Sequence, residues 1–245
     1  MAQNIDQVIE ELDAVVAWSI KYERPAGLFA AMYRQVTLRV RDGIANGDFE
    51  DGPRMDRFDT VFAGRYLEAL KQHGSGVRCS GAWRVAFDAP VRVRPMQHLL
   101  LGMGAHIGLD LPIAAALVGG KDTEALGRDF ERINDILFSL IDDMQDVLDA
   151  HSPWMAGLDL LGGRLDEWVA AKALQHMRIQ AWKRAVGLSK LQGGGLRAAR
   201  RMLDLQVAGT GRLIRRPIPG LPRLPMKEPN LRALIAELDQ VALRL

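Results

Sequence analysis

A histidine and an aspartate four residues apart, His106 and Asp110, stand inside the apolar run MQHLLLGMGAHIGLDLPIAAALV from Met96 to Val118. On a helix this spacing puts both on one face, roughly 6 Å apart. An imidazole and a carboxylate so placed can share a metal ion. They can also form a carboxylate-oriented general base, or simply satisfy one another in a core. His98 lies eight residues earlier, roughly 12 Å along the axis, too far to share one ion comfortably and so placed in a second layer. With Tyr66 from an earlier helix, His98, His106 and Asp110 make the candidate catalytic set. As metal ligands, His106 and Asp110 would need facing partners, and Asp129 and Asp142 on a later helix are the ones expected. The cofactor is left open between none and a divalent ion, zinc or magnesium.

Asp142-Asp143-Met144-Gln145-Asp146 is a second acidic constellation. Taken literally it is DDxxD, similar to the strings with which terpene synthases and prenyl transferases hold Mg²⁺ against a diphosphate. The second metal string of that class is missing, and an acidic patch on an amphipathic helix is usually a solvated face. Nucleophilic catalysis finds no GxSxG, and Cys79 has no motif around it. Gly102-x-Gly104 opens no strand-to-helix turn, so it is no dinucleotide signature. Arg197, Arg200 and Arg201 form a basic patch without interleaved aromatics, which argues against nucleic acid.

The element that carries the pair is apolar on nearly every side, so it belongs inside the protein. Burying His and Asp there requires partners, and Arg65, Arg128 and Arg178 are the available cations. An arginine beside Asp110 would turn the site into a structural ion pair. Pro112 predicts a kink or break near Asp110. Apolar residues at helical period predict helices over 5–20, 27–44, 54–72, roughly 122–150, 165–186, 196–207 and 231–243. A short helix is expected at 83–87, an irregular stretch after Ser152-Pro153, and a separator at the Gly193-Gly194-Gly195 triplet. The fold class is all-α: one bundle of about eight helices around a buried, kinked central helix. Residues 1–216 form the domain, and 217–245 a proline-rich tail whose short last helix packs on it.

Of 245 residues, 48% are hydrophobic and 25% charged, as in ordinary globular proteins, and the chain is long enough to bury a substantial core. One cysteine excludes an intrachain disulfide and a cysteine zinc cage. The acidic, amphipathic N-terminus is no secretory signal. Leu99 to Val118 could span a bilayer by length, but Asp110 and the glycines favour a buried helix. A cytoplasmic protein is expected, with a small-molecule ligand, no nucleic acid, no membrane span and a homodimer as the candidate assembly. Residues 169–245 carry 15 basic and 4 acidic groups against 17 and 26 in residues 1–168. The simplest reading is that the two parts compensate each other on packing.

Three groups of segments carry a resemblance. They are FAGRYLEAL (62–70) with Trp83 to Phe87; QHLLLGMGAHIGLDL (97–111); and Asp129-Phe130, Ile133-Asn134, Ile141-Asp142, Leu203-Asp204 and Gly211-Arg212. Together they resemble a bacterial, all-helical family classed only as a domain of unknown function, over most of residues 25–216. The resemblance implies the fold and the site's location, and no reaction. It also implies asparagines on both sides of the AHI core, where this chain has Gly104 and Gly108. More locally, AHIGLDLP looks like the HxxxD helices of zinc-dependent phospholipases C, which would imply further ligands such as Asp59, His98, Asp129, His151 and His176. The function expected is a small-molecule enzyme built on His106 and Asp110, a metal-dependent hydrolase or a biosynthetic cyclase or lyase. The alternatives are a terpene-cyclase-like enzyme using the DDMQD segment, and a non-catalytic helical binding or scaffold protein.

Overall fold

The computed structural model describes residues 2–91, 93–120, 125–133, 136, 146–147, 165–216 and 230–241. These residues form helices and no strand. Helix α1 spans Ile5–Tyr22, α2 Ala26–Asn46, α3 Gly52–Gly74 and α4 Gly81–Phe87. The central rod is α5 (Pro95–Ala105), a π-helical turn (His106–Asp110) and α6 (Leu111–Gly119). Residues 125–133 are also helical. Then come α7 (Leu165–Ser189), α8 (Gly193–Ile214) and α9 (Leu231–Leu238).

Local chemistry sets where these helices begin. The Asn4 side chain accepts from the Gln7 amide, Asp51 from Arg54, Ser80 from Trp83 and Asn230 from Ala233. Each satisfies one of the amides that a helix start leaves open. Pro53 sits in the first turn of α3, where no amide hydrogen is needed.

The rod is buried because it is apolar all round. Helices α2, α4 and α8 pack on α5, α3 and α7 on α6, and α3, α7 and α8 on the π turn. Pro95–Gly119 is long and apolar enough to cross a membrane, yet most of it is covered by other parts of the chain. The expected kink takes a definite form. Pro112 offers no amide hydrogen to the Gly108 carbonyl, and just before it the Leu111 amide reaches back five residues to the His106 carbonyl. One wide turn thus absorbs the proline. Such insertions recur at functional sites.

One expectation needs correction. The glycine triplet does not precede a helix starting at Leu196: α8 begins at Gly193 and runs through Gly209 and Gly211 to Ile214. Packing overrides the weak helix propensity of glycine here. A Cβ on Gly211 would lie 3.1 Å from Val85, so the bare backbone lets α8 press on α4. Asp204 of α8 also accepts from the amides of Gly81 and Ala82, both at 2.8 Å, holding the start of α4 from outside. The short helix expected at 83–87 forms as α4, slightly longer at its start.

Helix α9 packs on α1 and α2. Asp239, just after it, is held by Arg34, and its carbonyl accepts from Gln35 at 2.5 Å. The proline-rich stretch 217–229 lies outside the described residues.

Candidate functional site

The π turn brings His106 and Asp110 together, and neighbouring helices close on both. Asp110 is 1% exposed. Its Oδ1 accepts from Arg65 Nε of α3 at 2.9 Å. Its Oδ2 accepts from Trp83 Nε1 of α4 at 2.7 Å and faces His106 Nδ1 at 3.3 Å. A carboxylate in low dielectric is tolerable only when donors surround it, and three do so here. The ion pair anticipated for an arginine beside Asp110 is made by Arg65. The sequence also carried an unused hint of the Trp83 bond, because a buried indole N–H needs an acceptor. Of the other two candidate cations, Arg128 pairs with Glu50 on the surface, and buried Arg178 donates to the Phe130 carbonyl.

Aromatic rings enclose His106. Its ring stacks on Phe62 with centroids 3.6 Å apart and 8° between planes, and meets Tyr33 edge-on at 4.4 Å. Phe29, Tyr66 and Trp83 complete the layer at 5.5–6.2 Å. Burial pushes the imidazole below its ordinary pKa, against the opposing pull of Asp110, so it is neutral near pH 7. With a carboxylate opposite, Nδ1 carries the proton and Nε2 keeps its lone pair. That Nε2 is buried and makes no hydrogen bond to protein. Tyr33 Oη, Tyr66 Oη and Asp59 Oδ2 are among the other buried atoms that share this condition. Burial raises the Asp59 carboxyl to about 7, with Asp56 adding to the shift.

On the far side of Phe29, Tyr66 and Trp83 lies a cleft of about 270 Å³. These three rings form its back wall, and Phe87, His98 and Gly102 are among its other lining residues. Gly102 is required here: a Cβ would stand 2.6 Å from Phe29 Cγ, so only glycine lets that ring lie flat against α5. Trp18 and Val91, 43% and 61% exposed, stand at the cleft as apolar residues left open to water. His73 lines it too, with Nε2 2.8 Å from Asp88.

The candidate catalytic set thus divides. Tyr66 and His98 line the cleft, while His106 and Asp110 sit one ring-thickness behind it. The candidate metal set is not assembled. Asp129 is buried, but its Oδ1 accepts from the Glu50 amide and its Oδ2 from Arg54 Nη2, both at 2.7 Å. It ties residues 125–133 to the start of α3 and does not join the Asp110 cluster. Both Asp110 oxygens are likewise taken by N–H groups. Among the described residues no group of three or more His, Cys, Asp or Glu side chains is arranged to hold a metal. Asp142, Asp143 and His151 lie outside the described residues; Asp146 and His176 are exposed.

The residues that pattern reading missed are the walls: Phe29, Phe87 and Trp18. Each sits on an ordinary amphipathic helix, and nothing local marks it. Gly108 lets Val207 of α8 come within 3.0 Å of where a Cβ would be, whereas Gly104 faces open space. Only one of the two glycines beside the AHI core is therefore a packing requirement.

No curated protein and no solved structure matches the chain. A family model does match, over residues 5–217, and by it the chain belongs to DUF5995, a family of unknown function.

Proposed function

We propose that the chain binds a small, flat, mainly apolar molecule in the cleft, with Tyr66 and His98 as the residues that touch it. The observation that carries this is the cleft's construction. A concave, ring-lined space backs onto three aromatics, and one of them is fixed through its indole N–H to a clamped carboxylate. Apolar pockets with a few placed polar groups are the usual form of a ligand site. In this reading Asp110, Arg65 and His106 are positioning residues. They hold Trp83 and, through ring contacts, Tyr66 and Phe29, so that the wall is rigid before a ligand arrives.

A ligand-observed NMR screen of one- and two-ring compounds tests this. Hits should bind the native protein and lose binding to Ala86→Trp, which fills the cleft. Hits that bind that variant equally well would place the site elsewhere.

One observation favours a second, catalytic reading. His106 is a neutral imidazole oriented by a carboxylate through Nδ1, with an unpartnered Nε2, which is the arrangement of a general base. It needs the Tyr66–Phe29 wall to open. The signature is a His106→Gln variant that keeps affinity for the bound molecule within about twofold and loses its turnover by about a hundredfold or more.

A further inference from the structure

We propose that the outward face of α8 seats on the surface of an anionic lipid bilayer. Met202, Leu205 and Leu213 enter the acyl boundary, and the arginines beside them meet lipid phosphates. This is independent of the cleft and of any ligand bound there.

Three features carry it. The first is an apolar stripe that the fold leaves uncovered. Met202, Leu205 and Leu213 are 58%, 55% and 61% exposed. At about 100° per residue they fall within roughly 80° of one another around the helix. The opposite side of α8 is the packed one. There Val207 lies against Gly108 of the π turn, Gly211 against Val85 of α4, and Asp204 accepts from the amides of Gly81 and Ala82. Helix α8 thus turns one face to the core and carries a second apolar stripe facing water. Scattered apolar residues on a surface need no explanation, but a row of them rimmed by charge marks an interaction site.

The second feature is that rim. Arg197, Arg201 and Arg212 are exposed and fill a sector of roughly 60° next to Leu205. Arg216, also exposed, follows just beyond the helix end. None of the four is paired with a carboxylate among the described residues. Asp204 is the only acid of α8, and its carboxylate is turned inward to the start of α4. Along this helix the basic excess of residues 169–245 faces water.

The third feature is which partner suits stripe and rim together. A second copy docked stripe to stripe brings the arginines of both helices together, and like charges so placed oppose docking. Nucleic acid would match the arginines but not the leucines, and α8 carries no aromatic ring to stack on a base. An anionic bilayer matches both. Its interface accepts single apolar side chains without any preformed pocket, and a guanidinium pairs with phosphate oxygens through two N–H groups at once. Leucine beside arginine on one helix is the composition of segments that lie in such an interface. Here the fold sets the helix before the membrane is met.

The test sediments the full chain with vesicles of phosphatidylcholine alone, or of phosphatidylcholine and phosphatidylserine in equal parts. The protein should bind the mixed vesicles and bind the neutral ones about tenfold more weakly, with the difference shrinking as salt is raised. Arg201→Gln combined with Arg212→Gln should weaken binding to mixed vesicles about 25-fold, about fivefold for each arginine. Leu205→Ser combined with Leu213→Ser should weaken it about tenfold or more. The melting temperature should stay unchanged, because both leucines already stand mostly in water. If the serine pair does not fold, Leu213→Gln alone replaces it, with about a threefold loss expected. No binding to mixed vesicles, or binding that either pair of substitutions leaves unchanged, overturns the proposal. Equal retention on polyglutamate or on duplex DNA also overturns it, by marking a plain cationic patch. So does a dimer in lipid-free solution, seen by sedimentation velocity, that the serine pair dissociates.

Discussion

Asp110 and Asp59 are two acids buried beside the same aromatic cluster, and the protein treats them in opposite ways. Asp110 comes from the central rod and meets three donors, each from a different element: Arg65 on α3, Trp83 on α4 and His106 on the π turn. Asp59 lies on α3, one turn before Phe62, and its Oδ2 has no protein donor. Around the first, partners replace the water it has lost. The second keeps its proton up to about pH 7, since desolvation falls on the charged form. Burial alone therefore says little about how an interior acid is accommodated. What differs is the number of N–H groups aimed at each, and here that number follows from which helices cross at the site.

The largest test of this contrast removes the well-held acid. Asp110→Ala leaves Arg65, Trp83 and His106 without their acceptor and should destabilise the fold by about 3–5 kcal/mol, read by denaturant unfolding. A loss below about 1 kcal/mol would mean that Asp110 is no keystone.

Next comes the acid without a donor. The folded-state pKa of Asp59 is about 7 against an ordinary 3.8. The unfolded chain thus gives up this proton first as pH rises, and the native state binds more protons between about pH 4 and 7. Stability is therefore lost as pH climbs through that window. Asp59→Asn removes the loss. Relative to the native protein it should gain roughly 2–4 kcal/mol on going from pH 4 to pH 8. Melting curves that run parallel across that range would show that Asp59 is charged in the fold after all.

Smaller effects concern the packing that aims the donors. Gly102→Ala pushes a methyl group into Phe29 and should cost about 1–3 kcal/mol, with altered ring-current shifts at His106. Gly104→Ala meets nothing within 4 Å and should stabilise the helix by up to about 1 kcal/mol. If both variants behaved alike, the close fit of the aromatic layer against α5 would not be what holds the cluster.

Much of the architecture was readable from pattern. The period of Ile5, Val8, Ile9 and Leu12 marks α1, and these residues are buried on one face. Apolarity on all sides correctly places 95–119 in the middle. The His106–Asp110 pair was visible as polar groups that a core must satisfy, and Arg65 was among the cations to satisfy them. Where pattern reading erred, tertiary contact had overruled local preference. Glycines 193–195 enter α8 because the helix is held by α4 and α5, not by its own propensity. The proposed ligand contacts were half legible. Tyr66 and His98 stood out by type, but the rings that face them did not.

Composition and periodicity by themselves determine a helical protein with an oily central rod carrying an imidazole and an acid, because those depend on residues within a turn or two of each other. Only the folded chain decides that this acid is clamped rather than left as a ligand, and that a cleft opens beside it. The clamp needs α3, α4 and the π turn to converge, and the cleft draws residues from Trp18 to Gly102. Such convergence is set by how bulky faces pack against a few bare glycines, a property of the assembled interior that no short stretch of sequence contains.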